Sequence, residues 1–202
     1  MAPIIAFDYG FMGSPTEGVE TYPILVARDS RAKYTMATCV ECKAATAHAV
    51  SFLVGAIGSL GYRKIILKCD NEPATKAVQE AVCKALTGVE VILSGPPEGD
   101  HRANGLVENA VKEIKRFCRT LGIASELKRG ERISDDHPVM SWLPRYASQV
   151  MNRFKIGADR KSTEMRRSGR HWRKPVAQFG EKVWFRRTGE DGPSSFASRM
   201  TQ

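Results

Sequence analysis

The order in which apolar segments of two periods succeed one another limits the fold more than any single residue does. Three short runs rich in β-branched and aromatic residues come first: Ile4–Phe11, Tyr22–Arg28 and Tyr34–Val40. Asp29, Ser30 and Arg31 are turn residues between the second and third, so the three runs predict an antiparallel meander. Helix-like and strand-like segments then alternate. Ala44–Leu60 is a helix stopped by Gly61, Lys64–Cys69 a strand, Glu72–Leu86 a helix and Val89–Leu93 a strand. After the Gly- and Pro-rich loop Ser94–Gly105, a long helix runs from about Asn104 towards Leu121. Its Val107, Ala110, Val111, Ile114, Phe117, Cys118 and Leu121 recur at helical spacing. Val139–Phe154 reads as a last helix. A strand joined to the next strand by a helix implies parallel pairing. The expected architecture is therefore α/β, a mixed five-stranded sheet flanked by helices and followed by a basic C-terminal tail.

Charge separates the tail from what precedes it. The chain has 202 residues and a formal net charge of +9, and all of that excess lies in residues 145–202. Between Arg160 and Lys174 there are seven Lys or Arg and one Glu. Such a segment suits a polyanion, although a solvated basic surface has the same composition. Five cysteines in no dense framework argue against a secreted disulfide scaffold and for an intracellular setting, nuclear or cytoplasmic. Cys39 and Cys42 form a C-x2-C with only His48 nearby, short of the four ligands a structural zinc needs. No stretch is long and apolar enough to span a membrane, and the first residues do not read as a signal peptide.

Three acids stand in unusual places. Asp8 interrupts an apolar strand, where an unpaired charge is costly. Asp70 follows another apolar strand at its C-terminal end, where open α/β sheets place their ligand sites. Glu108 lies in the first turns of the long helix. Each has a plain alternative: Asp8 a turn residue, Asp70 a cap for the next helix, Glu108 a solvated helix residue. Taken together, three carboxylates from three elements can hold hard divalent cations, and two such cations can drive an in-line phosphoryl displacement. Asn104, Glu108, Lys112 and Lys115 share one helix face, beside the apolar stripe. Two lysines beyond a metal-binding Glu would meet DNA phosphates, whereas the plain alternative is i,i+4 Glu–Lys helix stabilisation.

The run from Asn104 to Lys115, NGLVENAVKEIK, resembles the helix that carries the last catalytic acid of retroviral and retrotransposon integrases. The preceding Ser94, Pro96, Pro97 and His101 resemble that family's active-site loop. Asp8, then Asp70-Asn71, then Glu108 complete its D, D, E order, with 61 and 37 residues between successive acids. The resemblance covers about residues 4–157, with a tail or linker over 158–202. There Phe179–Phe185 is similar to the segment that begins a small β-module after the core. It implies a ribonuclease-H-like fold and DNA integration by metal-dependent phosphoryl transfer: nicking of a DNA 3′ end and strand transfer, within a retroelement Pol polyprotein. It implies Asp8, Asp70 and Glu108 as catalytic ligands of two Mg2+ or Mn2+ ions. It further implies DNA contacts from Asn104, Lys112, Lys115 and Arg119, and from Arg166, Arg167, Arg170, Arg173 and Lys174 in the tail. Expected partners are DNA, as element ends and target, and further copies of the chain. The family's N-terminal His2Cys2 zinc module has no counterpart ahead of the first strand, so the expectation is for the core without it.

Two other readings stand beside this one. A ribonuclease of the same fold would carry a metal-binding Glu on the first helix after the meander, and Ala44–Leu60 holds no acidic residue. An inactive or domesticated fragment would keep nucleic-acid binding without chemistry.

Overall fold

A computed structural model describes residues 2–12, 22–95, 105–134, 137–186 and 200–201. The chain divides into two units, Met1–Trp172 and Arg173–Gln202. In the first, strands β1 (Ile4–Phe11), β2 (Pro23–Asp29), β3 (Thr35–Cys39), β4 (Lys64–Lys68) and β5 (Glu90–Ser94) form one sheet in the order β3-β2-β1-β4-β5. β1 to β3 form the antiparallel meander, and β4 and β5 join it in parallel. The parallel strands are reached through helices α1 (Ala47–Leu60) and α2 (Pro73–Ala85), as the alternation of segments predicts. Helices α3 (Gly105–Arg129), α4 (Leu143–Phe154) and α5 (Thr163–Ser168) follow, with a 3-10 turn at Pro138–Trp142 before α4.

Strand alternation divides the core into two layers. Ile5, Phe7, Tyr9, Ile65, Leu67 and Cys69 point to one face, where they pack with Leu53 and Ile57 of α1 and Val78 and Val82 of α2. The opposite face receives α3 on β1 and β2, and α4 on β3. Covered on both sides, β2 is buried at every position. In α2, the amide of Gln79 donates to the carbonyls of Leu67 (2.7 Å) and Ser94 (2.9 Å), fastening the helix to the ends of both parallel strands.

Several boundaries differ from the sequence expectation, each for a local reason. α1 starts at Ala47 because Thr46 caps it, its hydroxyl accepting from the Ala49 N–H at 3.2 Å. The expected helix Val139–Phe154 is broken in two. Pro138 and Pro144 each sit in a first turn, where the missing N–H costs nothing. α3 passes Gly122 and continues to Arg129, ending at Gly130 with φ of 74°. Good helix formers carry it beyond its apolar stripe, leaving Ile123 and Leu127 exposed.

The first unit also runs to Trp172, past the boundary expected at residue 157. Polar fastening accounts for this. Asn152 of α4 serves as a ladder partner for the edge strand, accepting from the Thr35 N–H (3.0 Å) and donating to the Thr35 carbonyl (2.6 Å). The Thr163 hydroxyl in turn donates to Asn152, at both its backbone and side-chain oxygens. α5 is thus held to the core through α4. In the second unit, β6 (Phe185–Arg186) pairs antiparallel with β7 (Met200–Thr201); of the expected strand Lys182–Arg187, residues 182–184 lie outside it and Arg187 lies outside the described residues. Among the described residues no helix is long and apolar enough to cross a membrane.

Candidate metal and DNA site

Asp8 and Asp70 meet by register. β1 and β4 pair in parallel, with Ile4 opposite Ile66 and Ala6 opposite Lys68. Two residues further along each strand direction stand Asp8 and Asp70. Alternation puts both on the α3 face, because their neighbours Phe7, Tyr9, Leu67 and Cys69 point into the other layer. The pair therefore lies at the C-terminal edge of adjacent parallel strands, the position that collects ligands in α/β sheets.

Each carboxylate is partly held by the protein. Asp8 Oδ1 accepts from the Tyr9 N–H at 2.7 Å. Asp70 Oδ1 accepts from the Thr75 hydroxyl and from the Glu72 N–H. Asp70 thus does support the start of α2, as the plain reading of its position expects. Burial pushes the Asp8 carboxyl up to about 6, with smaller contributions from the charges of Asp70 and Glu72. The Tyr9 N–H and the ammonium of Lys43 oppose the rise. Two acids that repel in a partly desolvated place form a site that a divalent cation would relieve.

Helix α3 covers this face at close range. A methyl group added at Gly10 would lie 2.6 Å from Val111 Cγ1, so glycine is what lets the helix touch β1 here. Gly10 is two residues past Asp8, and Val111 one turn past Glu108. The rotation of the helix about its axis is fixed from its other flank. Glu113 accepts from Arg28 of β2 (2.6 Å) and from Lys155, just past α4 (2.8 Å). At about 100° per residue, Glu108 lies about 140° around the helix from Glu113. Since Glu113 faces β2 and α4, the flank with Glu108, Lys112, Lys115 and Arg119 is turned away from them. Burial by itself raises the Glu113 carboxyl, but the hydrogen bonds from Lys155 and Arg28 prevail and hold it below the usual carboxylate range.

Not every expected residue is brought together. Among the described residues no three of His, Cys, Asp and Glu stand close enough to hold a metal ion. Asp8 and Asp70 share a level on adjacent strands and Asp70 acts electrostatically on Asp8, but Glu108 does not complete a three-acid cluster with them. Asn104, with Pro96, Pro97 and His101, lies outside the described residues. Lys112 and Arg119 are exposed and Lys115 is half-buried on their shared flank. In the basic segment, Arg166 is bound bidentately by Asp159 (2.6 and 2.8 Å). Arg167 pairs with Glu164 at 2.7 Å and stacks over Tyr34. Both are committed within the fold, which the run of basic residues could not reveal. Arg170, Arg173 and Lys174 are exposed. His48, beside the C-x2-C, has its Nε2 within 3.2 Å of the Cys39 carbonyl.

Sequence reasoning missed the group that surrounds the acid pair. Lys43 pairs with Glu72 (3.2 Å) and lies over the rings of Tyr9 and Phe11. In sequence Glu72 has a cation four residues away on either side, Lys68 and Lys76, so nothing there pointed to Lys43.

Comparison with solved structures bears on this arrangement. The chain superposes on a simian T-cell lymphotropic virus intasome, in complex with PP2A regulatory subunit B56 gamma, with a TM-score of 0.61 and 19% identity. That match covers 98% of this chain and 65% of the viral one. The HTLV-2 integrase catalytic core domain in complex with magnesium, in trimeric form, matches with a TM-score of 0.56 and 17% identity. It covers 81% of this chain and 95% of that one. The BIV integrase catalytic core domain gives 0.52 and 17%, over 81% and 92%. The chain has the integrase catalytic-core fold. It spans 65% of the simian viral chain, and the isolated HTLV-2 and BIV core domains almost whole. No family model matches the sequence, and no curated protein does. The integrase-core fold accounts for the parallel pairing of β1 with β4, and so for Asp8 and Asp70 at one level.

Proposed function

We propose that this chain is the catalytic core of a retroelement integrase, which nicks a DNA 3′ end and joins it to target DNA. The observation that carries the proposal is that Asp8 and Asp70 share one register on the sheet face that α3 covers. Asp8 and Asp70 would hold the ions, with Glu108 as the third ligand. The donor set is all carboxylate oxygen, which fits Mg2+ or Mn2+. When bound, such ions activate the attacking oxygen and stabilise the leaving one. The chain's own residues prepare the place. Tyr9 and Thr75 orient one oxygen of each aspartate, and the Glu113 anchor fixes the rotation of α3. Lys112 and Lys115, one and two turns beyond Glu108, would receive DNA phosphates as point charges. Further copies of the chain and both DNA partners belong to the same proposal. It is supported by the HTLV-2 core, whose dimeric and trimeric forms are both in complex with magnesium.

The test pairs metal binding with chemistry. Mg2+ or Mn2+ should raise the melting temperature of the unmutated chain and leave that of Asp70→Asn unmoved. Metal-dependent nicking of a DNA end should vanish in the same variant. Nicking that survives in Asp70→Asn, or in chelator, would refute the assignment. One observation favours a second reading, a nucleic-acid-binding module without chemistry: the three acids do not cluster among the described residues. DNA binding with no metal-induced stabilisation would select it.

A further inference from the structure

Beside the acid pair, on the other side of β1, lies a group that the proposed chemistry does not use. Phe11 ends β1 with 45% of its surface exposed, and Tyr22, the residue before β2, is 50% exposed. Lys43 Nζ stands 5.3 Å from the Phe11 ring centre and 5.9 Å from that of Tyr9, within reach of a cation–π contact. The loop that carries Lys43 is tied down. The Tyr9 hydroxyl donates to the Ala44 carbonyl, and the Thr46 N–H donates to the same carbonyl at 2.8 Å. Lys43 is therefore held at the sheet edge by an ordered loop. Its carboxylate partner is Glu72, in an ion pair whose side chains are 32% and 51% exposed. An exposed pair of that kind contributes little and exchanges readily for another anion.

We infer that Phe11 and Lys43 form a nucleotide subsite next to Asp8 and Asp70. Phe11 stacks on a base at an unpaired DNA end, and Lys43 leaves Glu72 to take the adjoining phosphate. Three reasons support this occupant. An aromatic face beside a cation is the usual equipment for single-stranded nucleic acid, because every base offers a π-face and every nucleotide a phosphate. Along the strand, Phe11 is three residues from Asp8, about 10 Å, and alternation puts it on the other sheet face, so a DNA strand would pass from the acids around the C-terminal end of β1 to reach it. Glu72 contributes negative charge at Asp8 and occupies Lys43 when no DNA is present, so entry of a phosphate both frees and neutralises this corner.

The inference rests on the integrase reading for the identity of the strand, but it is read out separately. The experiment measures equilibrium binding of the full chain, in Mg2+, to a duplex with two unpaired terminal nucleotides and to the same duplex fully paired. Phe11→Ala and Lys43→Ala should each weaken binding of the unpaired end by about ten-fold, leave the paired duplex nearly unaffected and keep the melting temperature. Lys43→Arg should restore most of the loss. Glu72→Gln should tighten binding of the unpaired end, because it releases Lys43. A merely structural Lys43–Glu72 pair predicts the opposite: Lys43→Ala and Glu72→Gln would then shift stability and binding in the same direction. That result would overturn the subsite, as would an unmutated chain that binds both ends equally. If the chain shows no metal-induced stabilisation yet Phe11 and Lys43 still govern end binding, the subsite stands and the integrase chemistry falls. If metal-dependent nicking is present and neither variant alters end binding, the subsite falls and the integrase chemistry stands.

Discussion

Asp8 and Asp70 occupy the same level of adjacent parallel strands, each two residues beyond the paired positions Ala6 and Lys68. Their common face and common height make them a pair, and their mutual repulsion gives that pair a measurable signature.

In chelator, Asp8 has its carboxyl raised from 3.8 to about 6, chiefly by burial and then by Asp70. A raised acid contributes stability below its unfolded value, and that contribution is lost as pH rises through the folded value. Thermal stability without metal should therefore fall between about pH 4 and pH 6 on account of this group, and Asp8→Asn should flatten that decline. Adding Mg2+ at pH 7 should stabilise the unmutated chain and leave Asp8→Asn unchanged. Equal pH profiles for the two proteins would mean that Asp8 is solvated and unstrained.

Gly10 admits α3 to the sheet, and the nearest atom to an added methyl would be Val111 Cγ1 at 2.6 Å. Gly10→Ala should cost about 1–3 kcal/mol by overpacking. It should also lower metal affinity, since it moves the helix that bears Glu108. Gly10→Ala with Val111→Ala should recover much of both. Denaturant unfolding with and without Mg2+ measures the two effects together.

Glu113 bridges Arg28, which is 7% exposed, and Lys155. Glu113→Gln leaves the Arg28 guanidinium without its counter-charge and should cost roughly 2 kcal/mol, discounted for the half-exposed position of Glu113. A carboxyl held low gives stability above its unfolded value and loses it as pH falls through the lower folded one. The difference between the unmutated chain and Glu113→Gln should therefore be full at pH 7 and shrink below pH 4.5. A constant difference down to pH 3 would assign the loss to packing instead.

Residues 173–202 form a separate unit, whereas α5 belongs to the first. Truncation after Trp172 should keep the melting temperature of the core and reduce the salt dependence of DNA binding. The log–log slope should flatten by up to about 0.9 for each phosphate the tail no longer neutralises. Truncation after residue 159 should destabilise the core, because it removes Thr163 from Asn152 and Arg166 from Asp159. If both truncations give the slope of the full chain, the basic tail is a solvated surface.

The sheet, its crossover helices and the long helix were legible because local composition decides them. A β-branched run with period two cannot bury itself as a helix, and the stripe from Val107 to Leu121 cannot lie flat as a strand. Asp8 and Asp70 stood out for the same reason, as charges within or just after apolar strands. The resemblance of the Asn104–Lys115 run to integrases supplied the fold, which the solved cores bear out. What sequence could not decide is whatever depends on meeting across the chain. The parallel register of β1 and β4 sets the two acids level, and Gly10 against Val111 sets the distance of α3. Glu113 turns that helix through residues 85 and 42 positions away. Two of the basic residues expected on DNA proved to be held by carboxylates of the fold, because charge counts record how many cations a segment holds but not which acids fold back to meet them. Lys43 was invisible in the sequence and became significant only when folding placed it over Phe11 and against Glu72, since an ion pair between residues 29 positions apart is formed by topology alone.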